Sequence, residues 1–166
     1  YMPISAIIVN ETVFRPIAKQ SAEMGTLGHG FTYSGHPVAA AVAIETLKIY
    51  DEIDLITQVR ASAPVLQNGI CQFDDHPMVG EISSVGLLAA VELVADKTTK
   101  EAFHAKLKVG QYLIERALGH GLIIRALGNR IAFSPPLIIK PDEITEMFAR
   151  FAKALEDTWD WVKKTG

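Results

Sequence analysis

The sequence predicts an α+β fold, and three observations carry that prediction. From about residue 53 the apolar pattern runs helix, strand, helix, two strands, helix. At Val79 the period of the apolar residues drops to two, the spacing of a half-buried strand. Near the C-terminus Ile144, Met147, Phe148, Phe151, Leu155, Trp159 and Val162 keep one helical stripe. Helices packed on one face of a small, mostly antiparallel sheet satisfy that order.

Taken in turn, Ile4 to Val9 is β-branched and continuous, the pattern of a strand buried on both faces. Glu11 to Lys19 reads as a short helix, and Ser21 to Gly35 as a polar, Gly-rich loop. Pro37 suits a first helical position, where its missing N–H is an orphan in any case. The helix it opens, to Glu52, is apolar nearly all round up to Glu45 and is expected to be largely buried. Asp54 is placed to cap the next helix, whose stripe is Leu55, Val59, Leu66, Ile70 and Phe73. Pro64 should bend or break it. Val85, Leu87, Ala89, Val91 and Leu93 then alternate along a strand ending near Asp96. After a charged stretch from Lys97 to Lys108, a helix is expected to close at Gly121 with a left-handed cap. Leu122 to Arg125 and Arg130 to Ser134 form two short strands around Leu127-Gly128-Asn129. In the last helix Pro141, Asp142 and Glu143 suit the positive N-terminus, and Lys163 and Lys164 the negative end. There is no internal repeat and no low-complexity segment.

Composition narrows the function classes. The chain has 166 residues, 49% hydrophobic and 21% charged, with a formal charge of -3. That balance argues against a nucleic-acid or anionic-membrane partner, because both demand a basic surface. Cys71 is the single cysteine, so neither an intrachain disulfide nor a thiolate metal cluster can form. A lone thiol suits a reducing compartment, and a cytoplasmic location is the resulting expectation. The run from Ile4 to Val9 is far too short to span a bilayer. Tyr1 is not a translational start, so the chain is expected to begin inside something larger.

The segment Gly28-His29-Gly30-Phe31-Thr32-Tyr33-Ser34-Gly35-His36-Pro37 carries the most chemistry. Glycines let backbone amides approach a ligand, Thr32 and Ser34 add hydroxyls, and a helix starts directly after. That is phosphate-binding chemistry without a lysine, and it matches neither a Walker loop nor a dinucleotide fingerprint. From the residues alone it is either an anion site or a Gly-rich connection. Arg125 presents a planar fork suited to a carboxylate, or it is a solvated arginine at the end of an edge strand. The histidines lack the spaced partners of a metal site. Asp74-Asp75 reads as a turn, and Trp159 with Trp161 as a helix face.

Gly30-Phe31-Thr32-Tyr33-Ser34-Gly35-His36-Pro37 resembles a motif of the class III (omega) aminotransferases, and the likeness runs along the whole chain. Tyr1-Met2-Pro3-Ile4-Ser5-Ala6, Val85-Gly86-Leu87 with Ala90-Val91-Glu92-Leu93, and Ser134-Pro135-Pro136-Leu137-Ile138-Ile139 resemble further family segments in the same order. The resemblance implies the C-terminal portion of a fold type I enzyme that uses pyridoxal phosphate. Residues 1–52 would be the end of the large cofactor-binding domain, with its last strand and helix, and residues 53–166 the small C-terminal domain. It implies a homodimer in which Phe31 and Thr32 serve the cofactor phosphate of the neighbouring subunit. Arg125 would grip the substrate carboxylate, while Arg130 matches no family role and is left structural.

The implied reaction moves an amino group between an amine or ω-amino acid and a 2-oxo acid such as pyruvate. It needs a Schiff-base lysine and an acidic partner for the pyridine nitrogen, and by the resemblance both fall before the equivalent of Tyr1. No lysine of the chain, Lys19, Lys48 and Lys97 included, matches the family position, so no catalytic residue is assigned. An aminomutase of the same family, and a non-catalytic module binding phosphate or a partner subunit, stand as alternatives.

Overall fold

The computed structural model describes residues 2–165, and its contacts divide them into one unit ending at Ile53 and a second beginning at Asp54. Tyr1, read above as the edge of something larger, lies outside the described residues.

The first unit holds two helices, α1 (Glu11–Met24) and α2 (Pro37–Glu52). Asn10 caps α1 by accepting the Val13 amide at 3.1 Å, and the helix runs five residues beyond the expected Lys19. The strand expected over Ile4 to Val9 is absent: the run is unpaired chain, and Ile8 is 95% exposed. A strand exists only with a neighbour to bond, and no other strand occurs among the described residues of this unit. Helix α2 begins at Pro37 as the sequence implies, yet only Ala39 is buried. Val38, Ile44 and Leu47 stand exposed, so the expectation of a buried helix does not hold. An all-round apolar surface states a need for cover, and these residues do not supply it.

The second unit is an α+β layer pair. Helix α3 (Leu55–Cys71) leads into β1 (Val79–Val85) and β2 (Leu88–Asp96), then a two-residue strand β3 (Glu101–Ala102) and a short 3₁₀ turn. Helix α4 (Val109–Gly119), strands β4 (Arg125–Leu127) and β5 (Arg130–Phe133), and α5 (Pro141–Thr165) follow. The sheet order is β1-β2-β5-β4, every pairing antiparallel, with β3 added on β2.

Several local details differ from the expectation. Asp54 precedes α3 but makes no side-chain cap bond, and its φ of 48° places it in the left-handed region. Helix α3 is not broken at Pro64; buried Leu55, Ala63, Leu66 and Ile70 hold it through the defect. The alternation from Val79 to Asp96 is a hairpin rather than one strand. Val85 pairs with Leu88 across Gly86, whose φ is +56°, the conformation that glycine adopts at no steric cost. The strand expected over Leu122 to Arg125 begins instead at Arg125. Gly121 does close α4: the Leu122 amide donates to the Ala117 carbonyl at 2.8 Å and the Gly121 amide to Leu118 at 2.9 Å, the Schellman pattern.

One continuous core fills the space between sheet and helices. Leu66 and Ile70 of α3, Leu113 and Ala117 of α4, and Ile144, Phe148, Phe151 and Leu155 of α5 meet Val91, Leu93, Ile131 and Phe133 of the sheet. His76 sits in the turn before β1 with its Nδ1 accepting the Met78 amide at 3.1 Å. Its Nε2 is buried without a hydrogen-bond partner, 3.7 Å from Glu156 and below Trp159. Burial pulls the His76 pKa below 6.5 and the nearby Lys97 adds to this, against a smaller upward pull from Glu156. The unfolded chain therefore takes up a proton near pH 6.5 that the folded chain refuses, and stability falls as pH drops below that value. His76→Asn keeps an acceptor for Met78 and removes the titration, so thermal melts between pH 7.5 and 5.5 should show a shallower acid loss than the parent. Equal slopes would count against this account.

Candidate functional site

Phe31 and Thr32 lie together on one exposed turn of the first unit. The Ser34 amide donates to the Phe31 carbonyl at 2.9 Å, and the Phe31 amide donates to Ser34 Oγ at 3.0 Å. The Phe31 N–H is therefore engaged within the turn and is not offered to a ligand, contrary to the picture of a fully open row of amides. Thr32 has no hydrogen-bond partner among the described residues. Gly35 turns the chain at a φ of +71°, and His36 then caps α2, its Nδ1 accepting the Ala39 amide at 3.5 Å. That cap was not foreseen, because histidine is outside the usual capping set. Phe31 lines a hollow of about 550 Å³ with Pro3, Ile4 and Ser5, and Thr32 does not.

Arg125 opens β4 in the second unit. Cross-strand register sets Ser83, Ala90, Ala132 and Arg125 in one row. Ala89, Val91, Ile131 and Phe133 point into the core, so by the period-two rule this row faces away from the helices. Its small side chains leave a low floor beside a long guanidinium arm. A cleft of about 460 Å³ lies at the β4–β5 edge, lined by Arg125 with Ala132, Ser134, Pro135, Pro136 and Met147.

The next row explains why Arg125 is free. Glu92 faces Arg130 across β2 and β5 and binds it, Oε2 to Nε at 2.6 Å, while Glu81 lies 3.8 Å from Lys100. Both acids of that row are engaged, and Arg125 makes no ion pair among the described residues. A guanidinium left unpaired at the lip of a cleft can receive a carboxylate in fork geometry. The Glu92–Arg130 pair was missed from the sequence because it joins residues 38 apart, a spacing with no local signature.

Every lysine of the chain is exposed. Lys48 pairs with Glu45 at 3.1 Å, and Lys97 bonds the Asp74 and His76 carbonyls. None stands in the buried, apolar setting in which a lysine serves covalent chemistry. Among the described residues no helix is long and apolar enough to cross a membrane.

The chain is similar to known proteins along most of its length. The family model for class III aminotransferases matches residues 2–155. The chain is 43% identical over 164 residues to gamma aminobutyrate transaminase 3, chloroplastic, of Solanum lycopersicum, covering 99% of this chain and 32% of that protein. It is 37% identical over 158 residues to vanillin aminotransferase of Capsicum chinense, covering 95% and 34%. The omega transaminase of Pseudomonas jessenii, solved in complex with PMP, superposes with a TM-score of 0.84 at 49% identity, over 95% of this chain and 35% of that one. The chain thus spans about a third of the length of the relatives it matches. The cytoplasmic expectation does not stand, since relatives are chloroplastic in tomato and mitochondrial in rice; a single thiol does not separate those compartments from the cytosol. With an antiparallel sheet matching the C-terminal part of fold type I transaminases, and a family match over nearly its full length, the chain belongs to the class III aminotransferases.

Proposed function

We propose that the protein transfers an amino group between an amine or ω-amino acid and a 2-oxo acid such as pyruvate, with pyridoxal phosphate as cofactor. The observation that carries this reading is Arg125, the guanidinium left unpaired at an open cleft while Arg130 is held by Glu92. It is suited to the carboxylate that a 2-oxo acid and an ω-amino acid share. The relatives named for gamma-aminobutyrate and for vanillin support a substrate range that includes partners with and without a carboxylate.

The donors of the 31–35 turn fit a phosphate. A phosphate needs N–H and O–H groups without internal partners, and the free Thr32 hydroxyl meets that need on a solvent-facing turn. Thr32 would hold the cofactor phosphate, with Phe31, its amide taken up by Ser34, shaping the turn that carries it, both serving the neighbouring subunit of a homodimer. The chemistry that pyridoxal phosphate supplies when bound is an electron sink for the carbon bearing the amino group. This chain's share is to fix the phosphate and to orient the substrate through Arg125; the proton-moving lysine is not among its residues. On this reading residues 1–52 complete the large domain and residues 53–166 form the small one.

The test uses the whole natural polypeptide that carries this sequence. Supplied with pyridoxal phosphate, an ω-amino acid and pyruvate, it should form alanine, and omission of any one should stop it. Thr32→Ala should weaken cofactor binding by roughly three- to tenfold, the worth of one net hydrogen bond. Absence of alanine with charged and uncharged donors alike, or borohydride fixation of the cofactor to a lysine within residues 1–166, would refute the reading.

A further inference from the structure

The 31–35 turn has almost no packing to hold its shape. Phe31 is 79% and Tyr33 81% exposed, and the ring contacts nearby are loose, His29 to Phe31 at 6.2 Å and Tyr33 to His36 at 6.4 Å. What closes the turn is the reciprocal pair of bonds between residues 31 and 34. Ser34 gives its amide to the Phe31 carbonyl and accepts the Phe31 amide on Oγ. The backbone bond is the ordinary closure of a β-turn, a closure that many turns lack. The side-chain bond adds a second tie across the same four residues, of the kind serine hydroxyls supply in turns. Immediately beyond, Gly35 reverses the chain and His36 caps α2, so the closed turn is fastened to a helix end.

We propose that Ser34 is a positioning residue for anion binding by this turn: its hydroxyl takes up the Phe31 amide, fixes the 31–34 geometry and so presents Thr32 in one orientation. This rests on the reading that Thr32 meets the cofactor phosphate. Ser34 itself stays off the phosphate. A donor held in one place loses less freedom on binding than one on a mobile loop, and that difference is what the serine contributes.

The test compares Ser34→Thr with Ser34→Val in the whole natural polypeptide, two side chains of like shape of which only threonine keeps the hydroxyl. Thr32→Ala serves as reference. Apo-protein is titrated with pyridoxal phosphate, and separately with pyridoxal, which lacks the phosphate. Thermal melts of the apo forms supply a readout independent of turnover. Ser34→Val should bind pyridoxal phosphate roughly three- to tenfold more weakly, as expected for one lost hydrogen bond. It should bind pyridoxal as the parent does and melt at the parent temperature, with Ser34→Thr close to the parent throughout. Equal weakening toward both ligands, or a lowered melt for Ser34→Val alone, would show general loosening and overturn the proposal. Parent-like Ser34→Val beside a weakened Thr32→Ala would overturn it while leaving the phosphate reading intact. If neither variant moves pyridoxal phosphate binding, the phosphate reading itself falls.

Discussion

Replacing Arg125 by leucine in the whole natural polypeptide is expected to lower kcat/KM for an ω-amino acid donor by roughly ten- to 150-fold, the worth of a charge-assisted hydrogen bond of about 1.5–3 kcal/mol in a shielded site. The second half-reaction, toward pyruvate, should suffer similarly, since its substrate also carries a carboxylate. In the first half-reaction an uncharged aromatic amine should keep a kcat/KM within about twofold of the parent, because no fork is required of the enzyme there. The loss should appear mainly in KM if the grip is equal in ground and transition states, and in kcat if it tightens during reaction. Arg125→Lys retains the charge and loses the planar fork, so it should recover only part of the loss. The contrast between substrates decides the matter: an equal fall for charged and uncharged donors would make Arg125 a structural residue. Arg130→Leu is the natural comparison. It removes a guanidinium already satisfied by Glu92 and leaves that acid free two strands from Arg125.

The fold was legible wherever local pattern and local consequence coincide. The α5 stripe is decided by spacing on one helix, and Ile144, Phe148, Phe151 and Leu155 are indeed buried. Pro37 and Gly121 act on their own backbone, and each ends or begins a helix where expected. What failed depends on partners far along the chain. Ile4 to Val9 and α2 are apolar, and apolarity says that water is disfavoured without saying what replaces it. The hairpin at Gly86 escaped because Val85 has the right identity and spacing to prolong the stripe of Leu87, Ala89 and Val91. In fact Val85 is 71% exposed and Leu87 is buried in the turn. Gly86 was the one available sign. The candidate site divides in the same way. Arg125 was reached through family likeness, but its freedom is settled by Glu92 choosing Arg130 across the sheet. Ser34 was noted as a hydroxyl, while its acceptor role belongs to the closed turn.

The same long-range logic sets the largest expected effect on stability. Phe151 is fully buried and meets Phe73 and Phe133 edge-on, each at 4.9 Å between ring centres. Phe148 lies against the same two rings at 5.9 and 5.6 Å. These four rings tie the turn after α3, strand β5 and helix α5 at one point, so no single neighbour can move into a void there without leaving the others. Truncating Phe151 to alanine should cost about 3–5 kcal/mol, the usual range for a buried phenylalanine whose site cannot collapse. Edge-to-face pairs add roughly 0.5–1.5 kcal/mol beyond area burial, which favours the upper part of that range. A domain stable by about 5–15 kcal/mol would lose much of its margin. Trp159 and Trp161 are the only tryptophans of the chain, both on α5, so urea unfolding followed by their fluorescence reports on this core. The midpoint should fall steeply for Phe151→Ala and far less for Phe151→Leu, which keeps most of the volume. Because β5 also carries Ala132 and Phe133 into the cleft wall beside Arg125, a loosened ring cluster should blunt the Arg125 discrimination between charged and uncharged donors before it abolishes folding. Unchanged discrimination in a destabilised Phe151→Leu protein would show that the cleft is held by the sheet alone.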